Sequence, residues 1–233
     1  MASASRTAGA SRARSAGRGA PSARGRKSPD LSHEAIRGAA LTLIDQDGIA
    51  DFSTRKLGRA LDCEAMAIYW YYPNKEALLD AVVDLLMSGV GQASGVDRGD
   101  WVEALRRIAH TYRRIAKEHP KAFPLLATRR FASEATYAFL EELFELARRE
   151  GVSDRAAARF YRIVSSYCSG FALNEIASPP EPQEAAALRK RFKRVDAVSR
   201  WLEPTHLDGI FDFGLEILLD ALGRETEREP KRR

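Results

Sequence analysis

The chain has 233 residues, of which 45% are hydrophobic and 30% charged, with a formal net charge of +5. That suits one large domain or two small ones, each with a buried core. Ten prolines and sixteen glycines are too few for a low-complexity chain. Two widely separated cysteines, Cys63 and Cys168, exclude a disulfide scaffold and a multi-cysteine zinc site. No run of eighteen apolar residues and no signal-peptide core is seen, so a soluble cytoplasmic protein without a membrane role is expected.

The charge is unevenly distributed. Residues 1–29 contain Arg6, Arg12, Arg14, Arg18, Arg24, Arg26 and Lys27 and no acidic residue, so this segment carries +7 and the remainder −2. Nearly all of residues 1–27 are Ala, Ser, Gly or Arg. Such a composition cannot bury enough apolar surface to offset ordering entropy, and a disordered basic tail over 1–29 is expected. It is either an arm that reaches DNA phosphates or a solvated tail. A Ser/Arg-rich start also resembles a transit peptide, but this one has no apolar helical face.

From Leu31 onward the pattern is helical. Ile36, Ala40, Leu43 and Ile44 fall on one helical face, with Ser32 as N-cap and Gly48 as stop. Ser53 caps a short second helix, Thr54 to Leu61. Asp62-Cys63-Glu64 reads as a tight turn, and a third short helix spans Ala65 to Tyr71. Asn74 caps a long fourth helix carrying Leu78, Leu79, Val82, Val83 and Leu86. Gly89, Gly91, Gly95 and Gly99 then read as a loop. Helical periodicity resumes over Trp101–Lys117, Phe131–Glu150, Ser153–Ala177, Glu184–Trp201 and Leu207–Leu222, with Pro120 and Pro124 breaking the first join. Residues 224–233 form a charged, frayed end. No repeat and no strand is evident, so the fold class is all-α.

A short helix, a three- to four-residue turn and a second short helix make the helix-turn-helix layout. Its second helix must enter a major groove, and Ala65, Met66 and Ala67 are small or apolar enough to meet base edges. Tyr69, Trp70, Tyr71 and Tyr72 cannot all be core on one short helix, and exposed tyrosines can bond phosphates. Thr54 and Arg55 open the second helix. Lys75 opens the fourth, where the backbone amides also favour phosphate. The alternative is an ordinary helical corner with core aromatics.

Phe52-Ser53-Thr54-Arg55-Lys56-Leu57, followed by Ile68-Tyr69-Trp70-Tyr71-Tyr72-Pro73-Asn74-Lys75-Glu76-Ala77-Leu78-Leu79-Asp80, resembles the TetR family of one-component regulators, in particular its tetracycline-repressor branch. Phe211-Asp212-Phe213-Gly214-Leu215-Glu216-Ile217-Leu218-Leu219 is similar to that branch's final helix. The resemblance implies a helix-turn-helix DNA-binding domain over 30–76 and a larger ligand-binding and dimerisation domain over 77–223. It implies that Thr54, Arg55, Ala65, Met66, Ala67, Tyr69, Trp70, Tyr71 and Lys75 form the surface for double-stranded operator DNA. The branch has Gln-Pro-Thr where this chain has Ala65-Met66-Ala67, so amide readout of adenine is lost and a different operator is expected. Asp62 stands where the family usually has Gly, a position Asp tolerates at modest cost.

The resemblance also implies a small-molecule effector. Many large aromatics occupy the second half, among them Trp101, Phe123, Phe131, Phe139, Phe144, Tyr161 and Trp201, and most can be ordinary core. Tyr112, Thr128, Arg129, Tyr137 and Asn174 are the pocket candidates, and Thr128-Arg129 resembles a Thr-Arg pair beside the drug in the tetracycline repressor. That repressor's metal-binding His aligns with Leu125 here, and its Glu aligns near Asn174-Glu175. A hard divalent cation needs oxygen or imidazole ligands, so a metal-free effector other than magnesium-tetracycline is expected, with no cofactor.

Reading two half-sites requires a homodimer. Phe160, Val164, Tyr167 and Phe171 on one helix, and Phe213, Ile217 and Leu218 on another, are the interface candidates, together forming a four-helix contact. The expected mechanism is a repressor released when effector binding moves the Lys75–Val90 helix, with Gly89 and Gly91 letting the following loop adjust. Two alternatives stand beside it. One is an all-helical enzyme, although His33, His110, His119 and His206 show no ligand spacing and no nucleophile or phosphate-loop motif is present. The other is a redox-sensing regulator using Cys63 or Cys168.

Overall fold

The computed structural model describes residues 31–96, 100–129, 133–177 and 182–228, with backbone only for 225–228. The basic tail expected over 1–29, Phe131 and Gly99 lie outside the described residues, as does much of the charged end. Every element among the described residues is helical. In chain order these are α1 (His33–Asp47), α2 (Thr54–Ala60), α3 (Ala65–Tyr69), α4 (Lys75–Ser94), α5 (Trp101–Glu118), α6 (Phe123–Thr128), α7 (Glu134–Arg149), α8 (Asp154–Ala177), α9 (Gln183–Arg189), α10 (Lys193–Ser199) and α11 (Leu207–Arg228). A single 3-10 turn, Pro204–His206, precedes α11.

The caps set the first four helices. Ser32, Ser53 and Asn74 are extended, and their side chains accept from Ala35 N, Lys56 N and Ala77 N at 3.1, 3.3 and 2.8 Å. Each satisfies an amide that the first helical turn leaves unpaired. Asp62 turns the chain at φ 52°, the left-handed conformation expected of it.

Two packed clusters form the interior. The first joins Ile36 and Ile44 of α1, Leu57 of α2, Ile68 of α3, the buried face of α4, and Phe123 and Leu126 of α6. The second joins Trp101 and Leu105 of α5, Leu143 of α7, Phe160 and Val164 of α8, and Phe211 and Leu215 of α11. All the buried hydrophobics of α4 lie in the first cluster, and the helix packs against α1 as well as α5, α6 and α7. By length and composition it could cross a membrane, yet eight of its residues, from Leu78 to Ser94, are buried. It is a central strut.

Several expected boundaries shift. α3 ends at Tyr69, and α7 begins at Glu134, behind the Ser133 cap. α4 runs through Gly89 and Gly91 and stops at Gly95, which is left-handed at φ 57°. The two inner glycines are not loop residues. Ile115 of α5 and Phe139 of α7 pack beside them at ordinary contact distance, 3.7 and 3.6 Å from where a Cβ would stand. α6 was not expected because Pro124 reads as a breaker, but it occupies the first turn, where no amide partner is lost. The Glu184–Trp201 stretch divides into α9 and α10, neither of which buries a side chain. Helix continues past Leu222 to Arg228.

Candidate DNA-binding surface and effector cavity

α2 and α3 cross closely because Gly58 has no side chain. A Cβ there would lie 2.8 Å from Cys63 O and 3.2 Å from Ala65 N. The Gly58 carbonyl in turn accepts from Cys63 N at 2.9 Å, closing the turn. Ile68 points inward and is fully buried, so the opposite side of α3 faces out. Met66 is 70% exposed and Trp70 90% exposed, two large apolar side chains held in solvent. Ala65 and Ala67 are half-buried beside Met66.

The four aromatics divide by function. Tyr69 is partly exposed, and its hydroxyl lies 3.2 Å from Thr54 Oγ1, which ties α3 to the first residue of α2. Tyr71 and Tyr72 turn back onto α1, donating to the Leu31 and His33 carbonyls at 2.7 and 3.0 Å, with the His33 ring edge-on to both. Tyr71 thus anchors the start of α1, a supporting position and not an outward one. Lys75 donates to the Phe52 carbonyl at 2.9 Å and lies over the Phe52 ring. Its ammonium keeps further donors for an anion. Arg55 and Arg59 on α2 are exposed and lack a carboxylate partner among the described residues, whereas Lys56 is paired with Asp47 at 2.7 Å. Arg59 was not singled out from the sequence; its i+4 spacing from Arg55 was the available signal.

Beyond α4, a cavity of about 470 Å³ opens between α4, α5, α6, α7 and α8. Tyr112, Thr128 and Arg129 line it, as expected. Tyr137 is exposed and Asn174 is exposed, and neither contributes to its wall. Local polarity in the sequence does not report which way a helix faces. Sequence reasoning missed Phe139, Tyr161, Arg162, Ser165 and Ser169 as wall residues. Burial pushes the Tyr112 hydroxyl up to about 12, and it shares a 3.1 Å hydrogen bond with Ser169. It is a neutral hydrogen-bonding group in the cavity wall.

Arg129 connects the cavity to α4. It pairs with Glu76 and Asp80 in the first two turns of that helix. A second link ties the α5–α6 corner to α1: His119 Nδ1 lies 2.6 Å from Asp45 Oδ2, and Lys121 Nζ donates to the Gln46 carbonyl.

The expected dimer residues divide too. Phe160 and Val164 are 3% and 2% exposed and are spent on the chain's own core. They are corrected from interface to core: the apolar face of α8 packs against α5, α7 and α11 of its own chain. Tyr167 is half-buried and donates to the Phe211 carbonyl at 2.9 Å. Phe171 is half-buried against Phe211. Phe213 and Ile217 stand exposed, and Leu218 is partly so. Ile163 of α8 and Ile210 of α11 join them as exposed apolar residues.

Residues 36–82 match the family model described as bacterial regulatory proteins, tetR family. Residues 95–225 match the one described as tetracyclin repressor-like, C-terminal domain. The chain belongs to the TetR family. It is 31% identical over 205 residues to the class D tetracycline repressor protein of Escherichia coli, covering 82% of this chain and 92% of that one. A possible TetR family transcriptional regulator from Streptomyces coelicolor A3(2) superposes with a TM-score of 0.70 at 29% identity, over 83% of this chain and 99% of that one. A TetR variant from Acinetobacter baumannii AYE, in complex with minocycline, superposes with a TM-score of 0.65 at 25% identity, over 84% and 99%. This TetR-family chain is a ligand-responsive, DNA-binding transcriptional repressor.

The two thiols bear on the redox alternative. Cys168 is buried, and burial pushes its thiol up to about 12. Cys63 is half-buried and also raised, by burial first and then by Glu64 and Asp62. Both are protonated near neutrality, and the thiolate is the reactive form. Titration of the native chain with a disulfide reagent at pH 8 is expected to modify Cys63 slowly and leave Cys168 intact until denaturant is added. Two fast-reacting thiols in the native protein would contradict this.

Proposed function

We propose that this TetR-family chain acts in the cytoplasm as a homodimer that reads an operator with Thr54, Arg55, Ala65, Met66, Ala67, Tyr69 and Trp70, with Lys75 on a phosphate. The observation that carries this reading is the outward face of α3, where Met66 and Trp70 stand exposed beside the uncommitted cations of α2. Met66 and the alanines suit apolar contact with thymine methyl groups. Arg55, Arg59 and Lys75 suit phosphate and positioning contacts.

For the homodimer, the exposed residues Ile163, Ile210, Phe213 and Ile217 on α8 and α11 are the supporting feature. The α9–α10 segment adds Leu188, Phe192, Val195 and Val198, all exposed, and neither helix buries a side chain. A closed two-fold contact through α8 and α11 covers the first group and places two α3 helices for two half-sites.

The effector enters the cavity beside Tyr112, Thr128 and Arg129. The Acinetobacter relative solved in complex with minocycline supports a drug-sized ligand for this chain. The described cavity wall offers no Asp, Glu or His, and Glu175 is held by Arg113 through two 2.7 Å bonds. That donor set does not fit a hard cation, so the effector is a metal-free molecule and not magnesium-tetracycline. Ligand in the cavity acts by favouring one position of α4, through Met87 and Val90 in the wall and through the pairing of Arg129 with Glu76 and Asp80. The chain is a binding protein and not an enzyme, in keeping with relatives named as repressors.

A gel shift at fixed salt on the DNA upstream of its own gene tests this reading. Sequence-dependent retention is expected. Arg55→Ala and Tyr69→Ala are each expected to weaken it by about 1–3 kcal/mol, roughly fivefold to 150-fold. Equal retention of random DNA by all three proteins would overturn the assignment of α2 and α3 as the operator surface.

A further inference from the structure

The electrostatics of the cavity wall are one-sided. Its described residues include Arg129 and Arg162 and no acidic side chain, lysine or histidine. Arg129 is already neutralised by Glu76 and Asp80 behind it. Arg162 is exposed, lines the cavity, and has no carboxylate partner among the described residues. It therefore stands at the mouth as an unmatched positive charge. On α8 it begins a row: Arg162, Ser165, Ser166 and Ser169 fall at i, i+3, i+4 and i+7, and all four line the cavity. Ser169 also meets the Tyr112 hydroxyl at 3.1 Å. The facing walls are largely apolar and aromatic, with Leu105, Ile108, Leu126 and Phe139.

We propose that the effector is an aromatic anion whose acid group docks on Arg162 and whose ring polar groups follow the serine row of α8. This rests on the cavity being the effector site. An apolar wall selects a ring system, the hydroxyls fix its orientation, and a guanidinium without a partner selects a carboxylate, sulfonate or phenolate. A lipophilic cation would be repelled at the mouth, and a neutral ring would leave the charge of Arg162 unmatched.

Two fluorescent probes with the same ring system test this on the full chain: 8-anilinonaphthalene-1-sulfonate, which is anionic, and N-phenyl-1-naphthylamine, which is neutral. Replacing Arg162 with leucine is expected to weaken sulfonate binding roughly tenfold to a hundredfold and to leave the neutral probe unchanged within about twofold. Arg162→Lys is expected to restore most of the sulfonate affinity. Ser165→Trp, which fills the cavity, is expected to weaken both probes. If Arg162→Leu affects the two probes equally, or neither, while Ser165→Trp still weakens both, the cavity binds ligand but the anion claim is wrong. If Ser165→Trp changes neither probe, the cavity is not the ligand site, and the effector reading itself fails.

Discussion

Replacing Arg113 with methionine is expected to cost about 3–5 kcal/mol of folding stability. Arg113 is only 8% exposed at its side chain, yet it carries a full charge. Nε and Nη2 donate to the two oxygens of Glu175 at 2.7 Å each, and Nη2 also meets Asp208 at 2.7 Å. The guanidinium lies over the Phe171 and Phe211 rings, 5.3 and 4.8 Å from their centroids. One side chain thus ties α5 to α8 and α11. Methionine fills the space but leaves the Glu175 carboxylate, 12% exposed at its side chain, with Lys117 at 3.9 Å as its remaining cation. The penalty is that of an uncompensated charge, so the double replacement Arg113→Met with Glu175→Leu is expected to recover most of the loss. Urea denaturation checks this through the midpoint at constant slope. A single-variant loss below about 1 kcal/mol, the range for exposed pairs, would contradict it. The acid side follows the same logic. Arg113 and Lys117 hold the Asp208 carboxyl below its ordinary 3.8, and Arg106 holds Glu216 below 4.5. A depressed carboxylate contributes stability above its unfolded pKa and loses it as pH falls through the folded one. Both contributions are therefore complete above about pH 5 and fade below pH 4.

The second large effect falls on DNA. Gly58→Leu is expected to reduce specific operator binding to the non-specific level, about a thousandfold or more. A side chain at this position meets the backbone of Cys63 and Ala65 at 2.8 and 3.2 Å, and backbone cannot rotate away. α2 and α3 must part, and α3 carries Met66 and Trp70 to the groove. Overpacking itself costs only about 1–3 kcal/mol, so the chain remains folded. The cavity is lined by α4 to α8, so probe binding there is expected to persist. Gel shift and probe fluorescence on the same preparation separate the two results. Retained operator affinity in this variant would mean that the α2–α3 crossing does not set the reading geometry.

What was legible in the sequence was local. Ser32, Ser53 and Asn74 cap helices because a short polar side chain next to an apolar periodic run meets amides three residues on, and all three do so. Asp62 could be read as a turn residue for the same reason. That Tyr69, Trp70, Tyr71 and Tyr72 cannot all be core was legible, but not which of them turns inward: Tyr72 is buried and Trp70 exposed. What was not legible depended on partners distant in sequence. Gly89 and Gly91 look like loop residues until α5 and α7 pack against them. Phe160 and Val164 make an apolar face that serves a monomer core as well as an interface, and the covering helix decides which. Arg113 and Glu175 are 62 residues apart, and no local pattern marks them as a pair. Arg162 reads as one more surface arginine until the cavity gives it a direction.

Selection of binding sites from a random-sequence duplex library by the full-length protein, with and without effector, tests the central claim most directly. The expected result is an enriched two-fold symmetric sequence whose half-sites are centred about one helical turn apart, roughly 10 base pairs, with retention lost when effector is added. Enrichment of no sequence, or of a single half-site without symmetry, would contradict a dimeric, ligand-released repressor.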